Sequence, residues 1–354
     1  LRPLRYTLTK CGLVIMGSEA GIVEVDDNNL IANYHMKSEE IFGVDLDSGE
    51  ILKNKNIKIN EATEKPYGNL VKSNVHSLKR ESRLKGFDNF PEAPFFHKNY
   101  NSADYDLILE DMEKFIIPMS EKVSEPIGSM GDDTPLAFLS SFNRKFYDFF
   151  KQQFAQVTNP PIDSLREKSV MSLLKYLGSE NNLLNDVPTH KTAIKISSPI
   201  LSPDEILKLN KNEGWFPNKV INCLLNIDEA LDEKIRNINN IAEEYVTKGN
   251  KIIFLSDVEI IDRHFAIPMP LIVSALHNHL VEKKLRSKVS IICVSGDAIQ
   301  DHHFAVLTAL GASAVYPIGA YTIIFKQYSK NNYQEKMVNY RHSIEKGLLK
   351  IMSK

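Results

Sequence analysis

Uninterrupted apolar runs alternate with amphipathic segments between residues 228 and 317, and this alternation is the clearest pattern in the chain. Apolar runs of this kind are typical of strands buried on both faces of a sheet. The predicted strands lie at residues 251–255, 289–294 and 314–316. The predicted helices run over residues 228–249, 271–280 and 302–311, with Asp228 as the cap of the first. This order predicts an α/β fold with a parallel sheet and right-handed crossovers.

Apolar residues at positions i, i+4, i+7 and i+8 predict further helices upstream of that region. The predicted helical faces cover residues 108–116, 142–150 and 170–177. Pro118 is expected to stop the first of these helices, and Gly178 to close the third. A capping hydroxyl followed by proline predicts helix starts at Thr134 and Ser202.

The chain has a different character near its ends. Residues 1–75 are β-rich, with a strand predicted at 13–16 and a hairpin that joins 41–46 to 50–52. Residues 76–100 turn from charged to aromatic and proline-rich, which predicts a linker lying on a neighbouring surface. A last helix is predicted over 337–354. The chain opens at Leu1 without an initiating Met and closes inside that helix, so we expect a piece of a longer polypeptide.

Composition and charge exclude several classes of function. A net charge of −2 gives no electrostatic case for binding nucleic acid or an acidic membrane. No apolar stretch approaches the roughly 18 residues that span a bilayer, and no signal peptide is present. The three cysteines, Cys11, Cys223 and Cys293, are far apart in sequence, so we expect no disulfide scaffold, zinc site or iron–sulfur site within this chain. A reducing compartment fits this cysteine usage.

Two polar loops attract a functional interpretation. Residues 128–135 form a glycine-bearing loop before a helix start, but the P-loop lysine is missing and Asp132 and Asp133 would repel a phosphate. A capped tight turn is therefore favoured. Residues 157–161 contain the corner Asn159-Pro160-Pro161, which is stiff whether or not it has a function.

Acidic residues follow two of the predicted strands. Asp257 comes after the first strand, and Ser295-Gly296-Asp297 comes after the second. Parallel sheets place their ligands at the carboxyl ends of strands. The same residues also cap helices, and the sequence leaves these two interpretations equally open.

Histidines and nucleophiles give weaker signals. The pairs His302-His303 and His277-x-His279 diverge on a helix, so surface or helix-end histidines are favoured over a metal site. Cys11 has no base nearby in the sequence, which favours an inert turn or strand residue. No glycine motif for a dinucleotide follows any strand.

Several longer motifs together resemble the large subunit of glutamate synthase over essentially the whole chain. They are residues 1–6, 128–135, 149–163, 301–305 and 346–354. The wording at 152–154 and 339–341 is more similar to the bacterial NADPH type than to the ferredoxin type. Asn278 and the pair Ile318-Gly319 depart from the family pattern, which puts a functional role for those loops in doubt.

The resemblance implies the following organisation. Residues 1–75 would be the end of a class II glutamine amidotransferase domain of incomplete αββα type, and 76–100 a linker. Residues 101–328 would be a central domain that binds no cofactor, and 335–354 the first helix of an FMN-binding barrel. The family makes two glutamate molecules from glutamine and 2-oxoglutarate, and an internal tunnel carries ammonia between its two active sites. FMN and an iron–sulfur cluster are implied for the full enzyme, with catalytic, cofactor and metal residues outside this chain.

Partners and location follow from the same resemblance. The implied partners are the rest of the polypeptide and a small NADPH-oxidising flavoprotein subunit or ferredoxin. The bacterial cytoplasm, or the plastid stroma for a ferredoxin-type enzyme, is expected.

The two polar loops are our candidates for the tunnel wall. These candidate residues are Ser129, Met130, Gly131, Asp132, Thr158, Asn159 and Pro160. Ammonia released into water near neutral pH is mostly protonated and loses its nucleophilicity, so a dry path is needed. Two rival readings stay open: a free-standing structural or interaction module, and a self-contained α/β enzyme that uses Asp257 and Asp297.

Overall fold

The computed structural model describes residues 4–19, 21–78, 85–88, 90–124, 126, 144–151, 170–180, 193–211, 216–258, 260, 263–328 and 332–353. The chain divides into two compact units, Leu1–Lys72 and Ser73–Lys354.

The first unit is built from short antiparallel strands. Its strands are β1 (Arg5–Thr9), β2 (Val14–Gly17), β3 (Leu30–His35), β4 (Phe42–Val44) and β5 (Ile51–Lys53). One sheet has the order β2-β1-β3, and β4 pairs with β5. The predicted strand and hairpin are confirmed, and Gly49 in the hairpin turn has the positive φ of +73° that favours glycine. The helix α1 (Asn54–Glu64) follows, and α2 (Tyr67–Asn74) ends at the boundary between the units.

The second unit is mixed α/β. Its strands are β6 (Val75–Ser77), β7 (Lys175–Gly178), β8 (Ala193–Ile196), β9 (Asn218–Asn222), β10 (Leu224–Asn226), β11 (Ile252–Ser256), β12 (His264–Ala266), β13 (Ser290–Val294) and β14 (Ala314–Tyr316). Its helices include α3 (Leu109–Asp111), α4 (Ile117–Lys122), α5 (Pro203–Asn210), α6 (Leu231–Thr247), α7 (Met269–Glu282), α8 (Asp301–Ala309), α9 (Ile318–Gln327) and α10 (Tyr333–Ser353).

A four-stranded parallel sheet forms the centre of this unit. Its order is β14-β13-β11-β9, and every neighbouring pair is parallel. All residues of β11 and β13 are buried, as their apolar runs predicted. The helices α6, α7 and α8 connect consecutive strands, so the predicted βαβ order is confirmed. The edge strand β9 was missed because its sequence Asn-Lys-Val-Ile-Asn alternates exposed and buried residues.

The predicted helix over 170–177 is wrong in the described part of that segment. Residues Lys175–Gly178 form β7, which pairs antiparallel with β8, while β8 pairs in parallel with β6. The apolar spacing fitted a helix, but strand pairing buries Leu177 to 1% exposure. Tertiary pairing thus overrode the local pattern.

Three further local predictions need correction. Pro118 does not stop a helix, because a π-helical turn at Met112–Ile116 leads into α4 and the proline lies in the first turn of α4. Phenylalanines near 146 form only the short 3₁₀ helix Phe146–Phe149 within the described residues. Asp228 does not cap α6, which begins after Ala230; it pairs with Arg263 at 2.5 Å. The Ser202 cap is confirmed: its side chain accepts from the Glu205 amide.

The aromatic residues before the α/β region are anchors, as predicted. Phe87 and Phe90 are 2% and 0% exposed, and the Phe87 ring meets that of Tyr321 at 5.5 Å. The final helix α10 is confirmed, and it packs against α4 and α8.

Candidate functional site

Two acidic residues meet where β11 and β13 end, as the strand rule predicted. The Ser295 hydroxyl donates to Oδ1 of Asp297 at 2.6 Å and lies 3.4 Å from Oδ2 of Asp257. The amide of Gly296 donates to Oδ1 of Asp257 at 2.8 Å. Asp257, Ser295, Gly296 and Asp297 therefore form one hydrogen-bonded group, which we name the sheet-end cluster.

Burial shifts the protonation of this pair. Asp257 is 1% exposed, and burial together with the charge of Asp297 raises its pKa well above the ordinary range. Burial also raises the pKa of Asp297, although hydrogen bonds from Ser295 and Tyr147 and the charge of Lys145 oppose the rise. Ser295 has one hydroxyl proton and gives it to Asp297. The shared proton of the pair is therefore best placed on Asp257, which leaves Asp297 as the ionised acceptor.

Three tyrosines close the sheet-end cluster from outside. The Tyr147 hydroxyl donates to Oδ1 of Asp297 at 3.1 Å. The hydroxyls of Tyr105 and Tyr100 donate to the backbone carbonyls of Asp257 and Gly296, at 3.1 and 2.9 Å. Burial and the nearby carboxylates raise the pKa of all three tyrosines, so they stay protonated and act as donors.

Two glycines permit this close packing. A Cβ on Gly296 would lie 2.1 Å from the Tyr105 ring, and a Cβ on Gly319 would lie 2.0 Å from the Gly296 carbonyl oxygen. No side chain fits at either position. Gly319 was noted only as a departure from the family pattern, and its packing role was missed.

Two histidines in the first turn of α8 lie beside Tyr147. The rings of Tyr147 and His303 stack at 4.1 Å between centroids, and Nε2 of His302 donates to the Tyr147 carbonyl at 3.1 Å. Both are helix-end residues, as expected, but His303 is buried rather than at the surface. Burial, with the charge of Lys145 nearby, holds the pKa of His303 well below its ordinary value, so its Nδ1 accepts from the Ile299 amide.

The other candidates are dispersed. His279 pairs with Glu243 at 2.8 Å, and Nδ1 of His277 accepts from Arg286 at 3.0 Å. Cys11 is exposed in the first unit, while burial raises the pKa of Cys223 and Cys293. Among the described residues, no group of three or more His, Cys, Asp or Glu could hold a metal ion. No helix of the described part is long and apolar enough to cross a bilayer.

The seven tunnel candidates lie outside the described residues. They are Ser129, Met130, Gly131, Asp132, Thr158, Asn159 and Pro160. The segment between the two loops is described over residues 144–151, and it contains Tyr147. Sequence reasoning missed Tyr147, Tyr105 and Tyr100, because each meets its partner across at least 150 residues of sequence and no local pattern marks them.

In its chemistry the sheet-end cluster is self-contained. Its carboxyl groups already accept from the protein's own amide and hydroxyl donors, and Asp257 is closed to solvent. A raised carboxyl pKa is a common mark of a general acid, but no described opening presents Asp257 to a substrate. A pocket next to it is lined by Tyr100, Asp104, Tyr105 and Thr322 and reaches the tyrosines instead.

Comparison with known proteins matches two families. The profile of the glutamate synthase central domain matches residues 101–354, and that of the class II glutamine amidotransferases matches residues 1–70. A glutamate synthase (NADPH) large chain from Bacillus subtilis is 34% identical, with 100% of this chain and 23% of the relative covered. The large chain from Azospirillum brasilense is 36% identical, with 100% and 24% covered.

A ferredoxin-dependent glutamate synthase from Antithamnion sp. is equally similar, with 36% identity and the same 100% and 24% covered. The expected NADPH type therefore stays a prediction. This chain spans about a quarter of the length of these curated relatives. A solved flavocytochrome b2 variant overlaps 42% of the chain and 35% of its own, at 16% identity and a TM-score of 0.29, which is too weak to support an argument.

Proposed function

This chain belongs to the glutamate synthase central domain family, and from that premise we propose that it is the scaffold and ammonia path between two active sites of a glutamate synthase. The amidotransferase match over residues 1–70 supports a glutaminase domain on one side. We assign residues 1–75 to the end of that domain, 101–328 to the central domain, and 335–354 to the first helix of an FMN-binding barrel.

The proposed reaction of the whole enzyme has a simple balance. Hydrolysis of the glutamine amide gives one glutamate and ammonia. Ammonia then adds to the keto carbon of 2-oxoglutarate, and loss of water leaves an imine. Two electrons and two protons reduce that imine to the second glutamate. NADPH, through a small flavoprotein subunit, or ferredoxin would supply the electrons, since relatives of both kinds are similar to this chain. The bacterial cytoplasm or the plastid stroma would be the compartment.

The observation that carries the scaffold role is the filled carboxyl end of the parallel sheet. This edge is where α/β enzymes bind their ligands. Here Tyr105 lies where a Gly296 side chain would be, and Asp257 is 1% exposed. The packing leaves no volume there for a substrate, which supports a central unit that holds other parts in place.

The path itself is assigned to the loops at 129–132 and 158–160. Ammonia must stay out of water to remain a neutral nucleophile. The loops are the polar stretches on either side of the anchored segment at residues 144–151. A structural wall needs no catalytic residue, which agrees with the closed chemistry of the sheet-end cluster.

FMN and an iron–sulfur cluster are assigned to other parts of a longer polypeptide. An iron–sulfur cluster needs about four thiolates. This chain has three cysteines, with Cys11 in the first unit and Cys223 and Cys293 buried in the second. These residues do not fit a cluster, and no step of the proposed reaction passes through them.

The test compares the full-length gene product with this chain alone. We expect the full-length protein to form glutamate from glutamine and 2-oxoglutarate with NADPH or reduced ferredoxin, and the chain alone to form none. Turnover or flavin binding by the chain alone would instead support the self-contained enzyme that uses Asp257 and Asp297.

A bulky substitution tests the path. Thr158→Trp in the full-length enzyme should raise glutamine hydrolysis relative to glutamate formation. The matched control is Thr247→Trp, because Thr247 is exposed at the end of α6. Equal and tightly coupled rates in both variants would refute the assignment of Thr158 to the path.

A further inference from the structure

We propose that Tyr147 is a positioning residue for ammonia transfer, held by Asp297 and His303. The inference rests on the proposed function and adds named residues to it. Tyr147 is 0% exposed, and all of its polar groups with a described contact point at the carboxyl end of the sheet or the start of α8.

Tyr147 is fixed by three contacts of different kinds. Its hydroxyl donates to Asp297 at 3.1 Å, and its ring stacks on His303 with an angle of 15° between the planes. Its carbonyl accepts from His302 at 3.1 Å. Together these contacts fix the position, the ring plane and the backbone of one residue.

The segment around Tyr147 has little structure of its own to hold it. Its 3₁₀ helix spans only Phe146–Phe149, and helices this short are marginal without tertiary contacts. Phe149 is 57% exposed and adds little burial. Lys145 supplies the other anchor, an ion pair with Asp111 at 2.6 Å. The place of residues 144–151 therefore depends on Tyr147 and Lys145.

This segment joins the two loops assigned to the ammonia path. Tyr147 stands between the loop at 129–132 and the corner at 158–160 in the sequence. A shift of the segment would move the attachment points of both loops at once. Misplacement of about 1 Å can cost up to a hundredfold in a rate that needs aligned groups. Loss of the Tyr147 anchor should therefore impair transfer of ammonia without touching either active site.

The experiment uses Tyr147→Phe in the full-length polypeptide, which removes the hydroxyl and keeps the ring on His303. The readout is glutamine consumed per pair of electrons used, together with free ammonia in solution. We expect the ratio to rise by about twofold or more over wild type. Tyr333→Phe is the matched control, because it removes another buried tyrosine hydroxyl, bound to the Asp88 carbonyl at 2.8 Å.

A second pair of variants separates positioning from loss of stability. Asp297→Ala removes the acceptor and should uncouple, whereas Asp297→Asn keeps an acceptor oxygen and should restore most of the coupling. The double variant with Tyr147→Phe should be no worse than Asp297→Ala alone, because both remove the same bond. Faster hydrogen exchange at residues 144–151 in Tyr147→Phe, and not in Tyr333→Phe, is also expected.

The possible results separate the two proposals. A wild-type enzyme that forms no glutamate from glutamine would overturn both. If wild type is tightly coupled and Tyr147→Phe matches it, the positioning role is wrong while the proposed function stands. If Tyr333→Phe uncouples as strongly as Tyr147→Phe, the effect is general destabilisation, and the positioning role is again wrong.

Discussion

Replacing Arg341 by Met is expected to destabilise the second unit by about 3–5 kcal/mol, because a buried carboxylate then loses its cation. Arg341 lies on α10 with its side chain 2% exposed, and Glu205 lies on α5 at 4%. Nη1 of Arg341 donates to Oε2 of Glu205 at 2.8 Å, and Nε donates to Glu345 at 3.1 Å. This pair connects the last helix of the chain to the start of α5.

The magnitude follows from what each partner keeps. Glu205 also accepts from the Ser202 amide at 2.8 Å, so after the substitution it retains one neutral donor for a buried charge. Met has a similar length and limits the cavity, so most of the loss is electrostatic. Adding Glu205→Gln should recover much of the stability, since a neutral amide still accepts from Ser202 and leaves no charge unpaired there.

The assay is urea unfolding followed by far-ultraviolet circular dichroism, with the slope compared as well as the midpoint. Arg236→Met is the matched control, because its pair with Asp232 is 67% and 72% exposed and should matter by less than about 1 kcal/mol. A loss below about 1 kcal/mol for Arg341→Met would refute the reasoning. A double variant as unstable as the single one would do so too.

Three further predictions concern the second unit. The raised pKa of Asp257 means that its contribution to stability is full below its ordinary value of 3.8 and is lost as pH rises toward the folded-state pKa. Asp257→Asn should therefore raise the melting temperature near neutral pH and flatten its pH dependence. The buried Tyr316 hydroxyl has no partner among the described residues, so Tyr316→Phe should be neutral or stabilising, whereas Tyr340→Phe, which loses a bond to the Ile299 carbonyl, should cost about 1 kcal/mol in the same melts. Gly319→Ala should cost about 1–3 kcal/mol by overpacking, and an unchanged melting temperature would contradict the close approach.

The sequence predicted those parts of the fold that local pattern decides. The apolar runs gave β11, β13 and β14, and the order of elements then placed Asp257 and Asp297 at one edge. The pattern around 170–177 failed, because β8 supplied a partner strand that no local window contains. Contacts made over long sequence distances were equally invisible: Tyr100 reaches Gly296 across 196 positions.

The sheet-end cluster resolves the choice that the sequence left open between a site and a pair of helix caps. Neither description fits, because Asp257 and Asp297 bind Gly296, Ser295 and Tyr147 instead of a ligand. Two buried carboxyl groups oppose each other's ionisation and cost stability, and an apolar core would fill the same space more cheaply. What the acidic pair adds is direction: Asp297 accepts a hydroxyl only from a residue placed where Tyr147 stands. A unit whose role is to hold two loops in register has a use for such a bond, and a unit that only has to fold does not.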